Sequence, residues 1–113
     1  MKKVALLLII LSSLCLAQEV SPDGQQLFKL HCQTCHGALG KGDGPAAQAL
    51  VPPPRDLTQR PYKQGCGPGA IVNTLQTGVP NSAMPSFSKT LSEDEMWALS
   101  RYVRNLQQGC CER

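Results

Sequence analysis

The order of apolar and polar positions divides this chain into segments of different character. Residues 4–16 are apolar apart from Ser12 and Ser13. A helical signal follows. Ser21, Pro22 and Asp23 stand where an N-cap, a first helical position and an acidic first turn belong, and Leu27, Phe28 and Leu30 come after them. The pattern predicts a helix from there to about His31. Residues 37–68 carry no helical or strand period. Gly37, Gly40, Gly42 and Gly44 open this stretch, a short helix over 46–50 is expected, and Pro52, Pro53 and Pro54 then force an extended path. It is too long for an ordinary connection, so it is either disordered or wrapped around something.

Two more helices are predicted. Ile71, Val72 and Leu75 share one face of a helix over 70–77, and Gly78 can take a left-handed cap. Residues 79–89 form a loop that contains Met84 and Pro85. The last helix is the clearest element. Ser92 and Glu95 fit a capping box, Leu91 and Met96 fit the accompanying hydrophobic staple, and Gly109 is placed to end the helix. Met96, Leu99, Val103 and Leu106 step at helical spacing, with Tyr102 alongside. No strand pattern, internal repeat or low-complexity segment is present.

The amino-terminal run has the layout of a secretory signal. Lys2 and Lys3 precede it, and Cys15 and Ala17 occupy the −3 and −1 positions of a cut before Gln18. It is well short of the ~20 apolar residues of a spanning helix. The expectation is a signal peptide over 1–17, a single mature domain over 18–113, and a periplasmic or otherwise exported location. Retention as an uncleaved membrane anchor is the alternative. A lipid-attachment signal through Cys15 is disfavoured by the bulky Leu14 before it. The charge changes with the cut. The whole chain is +3, and without Lys2 and Lys3 it has nine basic against eight acidic residues, or +1. Nothing in that balance points to nucleic acid or an anionic membrane.

Composition adds a second constraint. Phe28, Tyr62, Phe87, Trp97 and Tyr102 are the only aromatic residues, while nine prolines are spread along the chain. So small a domain buries a modest share of its surface and often needs a staple, either disulfides or a large cofactor. Cys32-Gln33-Thr34-Cys35-His36 decides for the cofactor, because C-x-x-C-H is the haem attachment signature. Two thiols on one turn can add to the two vinyl groups of one haem, and the next residue then lies beneath the iron. A thioredoxin-like pair would want a βαβ context, which is absent, and a structural zinc site would want four ligands at recognisable spacing.

With these residues in place the chain resembles the small monohaem c-type cytochromes of the class I fold. The resemblance is carried by Gly24 and Phe28, the motif from Cys32 to His36, and Gly42-Asp43-Gly44-Pro45. It continues through Pro53-Pro54-Arg55-Asp56-Leu57, Gly78-Val79-Pro80, Met84-Pro85 and the helix with Trp97 and Tyr102. It looks most like the bacterial respiratory branch that also occurs as domains of oxidase and reductase subunits. The resemblance implies an all-α fold of three to five short helices around one covalent haem c. The first helix would cross the last at Gly24, near Tyr102. It also implies Cys32 and Cys35 as attachment points, His36 as proximal ligand, Met84 as distal ligand, and the Pro45 carbonyl as acceptor for the other His36 nitrogen. Met96, on a helical apolar stripe, reads as core, and so do Trp97 and Tyr102. His31, next to Cys32, reads as a surface or helix-end residue. Arg55 reads either as the partner of a haem propionate or as a solvated cation.

Cys66, Cys110 and Cys111 are not required by that pattern. An exported compartment permits a disulfide from Cys66 to Cys110 or Cys111, which leaves one odd thiol. The functional expectation is a one-electron carrier between respiratory partners, a reductase and a terminal oxidase at the membrane or in the periplasm. No catalytic residue or small-molecule substrate is implied. The alternatives are a haem subunit of a larger oxidoreductase, and an open-site haem enzyme or gas sensor if Met84 is not a ligand.

Overall fold

The computed structural model describes residues 20–59, 62 and 64–107. The expected signal segment, Cys110, Cys111 and the proposed helix stop at Gly109 lie outside them. Four α-helices are present among the described residues: α1 (Gly24–His31), α2 (Gln33–His36), α3 (Pro68–Thr77) and α4 (Glu93–Leu106). A single 3-10 turn, Ala47–Ala49, stands where the short helix over 46–50 was expected. There is no strand among the described residues, and the fold is all-α.

The first helix starts later than its sequence signal. Asp23, not Ser21, is the N-cap: its backbone is extended, and its carboxylate accepts from the Gln25 N–H at 2.9 Å. The carboxylate both satisfies an orphan donor and meets the positive end of the helix dipole. Pro22 therefore precedes the helix. In α4 the expected capping box is complete. Ser92 Oγ accepts from the Glu95 N–H at 3.2 Å, and Glu95 Oε2 accepts from the Ser92 N–H at 2.8 Å. Leu91 and Met96 are both buried beside it. The helix ends at Leu106, with Gln107 as its C-cap.

The core sits where α1 and α3 pack on α4. Phe28 from α1 and Leu99 from α4 are fully buried at its centre. Ile71, Val72 and Leu75 from α3 and Val103 from α4 join them, with Phe87 closing one side. Trp97 and Tyr102 pack partly buried against this cluster, and the Phe28 and Tyr102 rings meet at 5.3 Å between centroids. Ser100 is buried as well, its hydroxyl donating to the Trp97 carbonyl at 2.9 Å.

After α2, residues 37–57 wrap back onto it. Gly42 N–H donates to His36 O at 2.8 Å, Gly44 N–H to Cys35 O at 3.1 Å and Ala46 N–H to Thr34 O at 3.0 Å. Leu57 N–H then returns to Gly40 O at 2.6 Å.

Gly24 sets how closely α1 meets α4. A Cβ there would lie 2.3 Å from the Ala98 carbonyl oxygen and 2.8 Å from Tyr102 Cβ. Gly24→Ala should therefore destabilise the protein, although alanine in a helix is otherwise favoured over glycine by ~1 kcal/mol. The helices must move apart, an overpacking cost of about 1–3 kcal/mol. Denaturant unfolding of the holoprotein checks the sign; an unchanged or raised midpoint would show that the crossing can shift freely.

Candidate haem-binding site

One cavity of about 730 Å³ lies against the core, within the size range of cofactor pockets. Its walls are mostly apolar. Phe28 and the α2 turn form one side, Leu50, Pro53 and Leu57 of the wrapping loop another, and Ile71 and Leu75 of α3 a third. Cys32, Cys35, His36 and Met84 all line it. Residues far apart in sequence thus share one apolar chamber.

The α2 turn presents the motif. His36 N–H donates to Cys32 O at 2.9 Å and Cys35 N–H to the same carbonyl at 3.2 Å, so both thiols and the imidazole project from a single turn. Both cysteines are free. Burial, with the neighbouring Cys35 adding to it, pushes the Cys32 thiol up to about 12. No group of three or more His, Cys, Asp or Glu side chains is placed to hold a bare metal ion among the described residues.

His36 Nδ1 lies 3.1 Å from the Arg55 carbonyl oxygen. With Nδ1–H donating there, Nε2 is the nitrogen left to bind a metal. Burial holds the imidazole below the usual histidine range, partly offset by this hydrogen bond, and a neutral ring is what a metal requires. The acceptor expected from the resemblance was Pro45. The chain on either side of Pro45 is instead bonded to α2, through Gly44 N–H to Cys35 O and Ala46 N–H to Thr34 O. The later part of the same loop, at Arg55, supplies the carbonyl. The Arg55 side chain lies 4.7 Å over the Tyr62 ring and donates from Nη2 to the Gln59 carbonyl at 3.2 Å, so it is not simply a solvated cation.

Met84 is held by a small bonded turn. Val79 N–H donates to Met84 O at 3.1 Å, Met84 N–H to Ser82 Oγ at 3.2 Å, and Ser82 Oγ–H to Val79 O at 2.7 Å. Phe87 N–H ties the end of the loop to Leu75 O of α3 at 2.7 Å. Met96, by contrast, is buried in the helical core. His31 is the exposed last residue of α1, at the cavity edge with its ring 6.2 Å from that of Phe87. Ser82 and Tyr62 were not singled out from the sequence for the site. Their contributions are hydrogen bonds and stacking across loop turns, which carry no periodic signal. Cys66 is disulfide-bonded, as expected for this residue, and its partner lies outside the described residues.

The comparisons identify the family. The cytochrome c family model matches residues 21–107, and the chain belongs to the cytochrome c family. Its cofactor is accordingly a covalently bound haem c. Among relatives, the chain is 31% identical over 86 residues to the Cbb3-type cytochrome c oxidase subunit FixP of Azorhizobium caulinodans, covering 76% of this chain and 27% of that protein. Among solved structures, it resembles a chain of the Kuenenia stuttgartiensis reducing HAO-like protein complex Kustc0457/Kustc0458. There the TM-score is 0.69 at 39% identity, over 75% of this chain and 42% of the other. It also resembles the KustC0563 c-type cytochrome, with a TM-score of 0.60 at 27% identity, over 76% of this chain and 99% of the other. The chain thus spans about a quarter of the oxidase subunit's length.

The residues present fit the haem. The thiol pair, the soft thioether and the neutral imidazole are the donors it takes, and the chamber between them is apolar. The methionine turn depends on Gly78. Its N–H caps α3 on Thr74 O at 2.8 Å, and φ is +68° as expected, but ψ of −172° sends the chain out extended. A Cβ there would lie 2.8 Å from Ser86 N and 2.9 Å from Met84 O. This backbone region is essentially restricted to glycine, at about 1–3 kcal/mol for any other residue. Gly78→Ala should cost at least that much in denaturant unfolding, more than Gly67→Ala, where a Cβ meets nothing within 4 Å.

Proposed function

We propose that this chain is an exported one-electron carrier with a single haem c, attached through Cys32 and Cys35 and ligated axially by His36 and Met84. The observation that carries the reading is the shared cavity: the motif turn and the loop methionine line the same apolar chamber. Bound haem supplies the one-electron couple, and a thioether opposite an imidazole favours the reduced iron. The chain's own residues do the rest. Arg55 O holds the His36 ring, the Ser82 turn holds Met84, and the apolar walls keep water from the site. Electron donors and acceptors would be redox proteins of the same compartment, a reductase and a terminal oxidase, met through small transient contacts.

The similarity to an oxidase subunit and to a chain of a multi-protein complex favours one further reading, a haem subunit that works inside a larger oxidoreductase. Purification from the native membrane and soluble fractions separates the two. A carrier appears alone, and a subunit appears with its complex.

If Met84 is the sixth ligand, the oxidised protein shows the weak near-red sulfur-to-iron charge-transfer band and excludes small ligands. Met84→Ala should lose the band, lower the potential and bind carbon monoxide readily. Met96→Leu should keep the band, because a Leu-for-Met exchange in a core usually costs under about 1.5 kcal/mol. Unmutated protein that lacks the band and binds carbon monoxide at once would turn the reading toward an open-site haem protein.

Export is tested by mass. Expression in a host with haem-ligation machinery should give a protein that begins at Gln18, heavier than the bare polypeptide by one haem. A retained amino terminus would favour the anchored form, and pigment lost on acid–acetone extraction would count against covalent attachment.

A further inference from the structure

The carbonyl that receives His36 Nδ1–H belongs to a residue whose side chain is itself held. The Arg55 guanidinium lies 4.7 Å over the Tyr62 ring, and the Tyr62 hydroxyl donates to the Leu57 carbonyl. Tyr62 therefore grips the segment on both sides of Asp56: at the Arg55 side chain and at the Leu57 backbone. Asp56 locks the same segment from within, its Oδ1 accepting from Thr58 N–H at 2.9 Å and Thr58 Oγ1 at 2.6 Å. Leu57 N–H is fixed to Gly40 O at 2.6 Å. Burial pushes the Tyr62 hydroxyl above its ordinary pKa, so it stays protonated and able to donate. Tyr62 is anchored in turn by the Gly65 N–H, which donates to Tyr62 O at 3.1 Å one residue before the disulfide-bonded Cys66.

We propose that Tyr62 is a positioning residue for His36: by stacking under Arg55 and bonding to Leu57 it keeps the Arg55 carbonyl on His36 Nδ1, and so sets how strongly His36 donates to the haem iron. The inference rests on the reading of His36 as axial ligand. Its direction follows from elementary chemistry. An Nδ1–H bond to a carbonyl makes Nε2 more basic and favours the oxidised iron. Loosening that bond should raise the reduction potential. The competing consequence of a smaller side chain, more water at the haem, stabilises the more highly charged oxidised form and lowers the potential. The sign therefore separates the two effects, and a Tyr62 substitution, unlike one at Arg55, changes no charge.

The test uses the holoprotein with Tyr62→Leu and Tyr62→Phe. Potentiometry gives the midpoint, and nuclear magnetic resonance of the reduced, diamagnetic protein gives hydrogen exchange at His36 Nδ1–H. Tyr62→Leu should raise the midpoint and speed exchange by roughly fivefold, the factor for losing one net hydrogen bond. Tyr62→Phe keeps the stacked ring and should shift both in the same direction by less. If Tyr62→Leu does not accumulate, the Phe variant decides by the same two signs. A midpoint that is unchanged or lower, with exchange unaltered, overturns the proposal whatever happens to unfolding stability. If the unmutated protein shows no haem-shifted Nδ1–H resonance for His36, the axial-ligand reading itself fails. A normal resonance that the variants leave untouched removes only the role of Tyr62.

Discussion

The apolar chamber is the constraint on which the rest of this structure depends. Its walls are drawn from α1, α2, α3, α4 and both long loops, so every element of the fold meets it. An apolar chamber of about 730 Å³ is more than the few aromatic side chains of so small a domain can fill. A filler held only by reversible contacts would be lost whenever the chain opened. Attachment through the two thiols of the α2 turn, as proposed, would remove that failure by making the filler part of the chain. The thinness of the core and the presence of the motif are thus one fact seen twice.

Much of this was legible because it is written in spacing. The capping box at Ser92 and Glu95, the apolar steps of α4 and the motif turn each depend on residues within a few positions of one another. The same locality explains what was misplaced. Ser21 and Asp23 are both acceptable caps; the backbone chooses Asp23, whose carboxylate reaches the Gln25 N–H. The His36 acceptor is a backbone carbonyl, which every residue possesses, so residue type could not distinguish Pro45 from Arg55. That choice is made by the loop's path: its first part is hydrogen-bonded to the α2 backbone, and its later part reaches the ring. Met84 was separable from Met96 because a helical stripe explains one methionine and leaves the other without a packing role.

The two sides of the chamber are built differently. Met84 sits in a short turn closed by its own hydrogen bonds through Val79 and Ser82 and fastened to α3 at Gly78 and Leu75. That side is local and bonded to a helix of the core. His36 sits on a helix turn too, but its outer nitrogen is satisfied by a loop residue nineteen positions away. The geometry of that bond depends on everything that holds the loop, including Leu57 N–H on Gly40 O and the Arg55–Tyr62 stack. A change of sequence in the 55–62 region can therefore reach the basicity of His36 without touching the chamber wall that carries Met84.

With His36 and Met84 as the proposed axial ligands, that asymmetry would give the chain two independent means of setting a potential. The thioether side can be changed only by altering the ligand or breaking its turn, which also costs stability. The imidazole side can be adjusted in small steps, because a hydrogen bond is worth about 0.5–1.5 kcal/mol net and its strength varies continuously with the position of the carbonyl. The wrapping loop, the least regular part of this fold, is then the part that most directly governs the electronic character of its site.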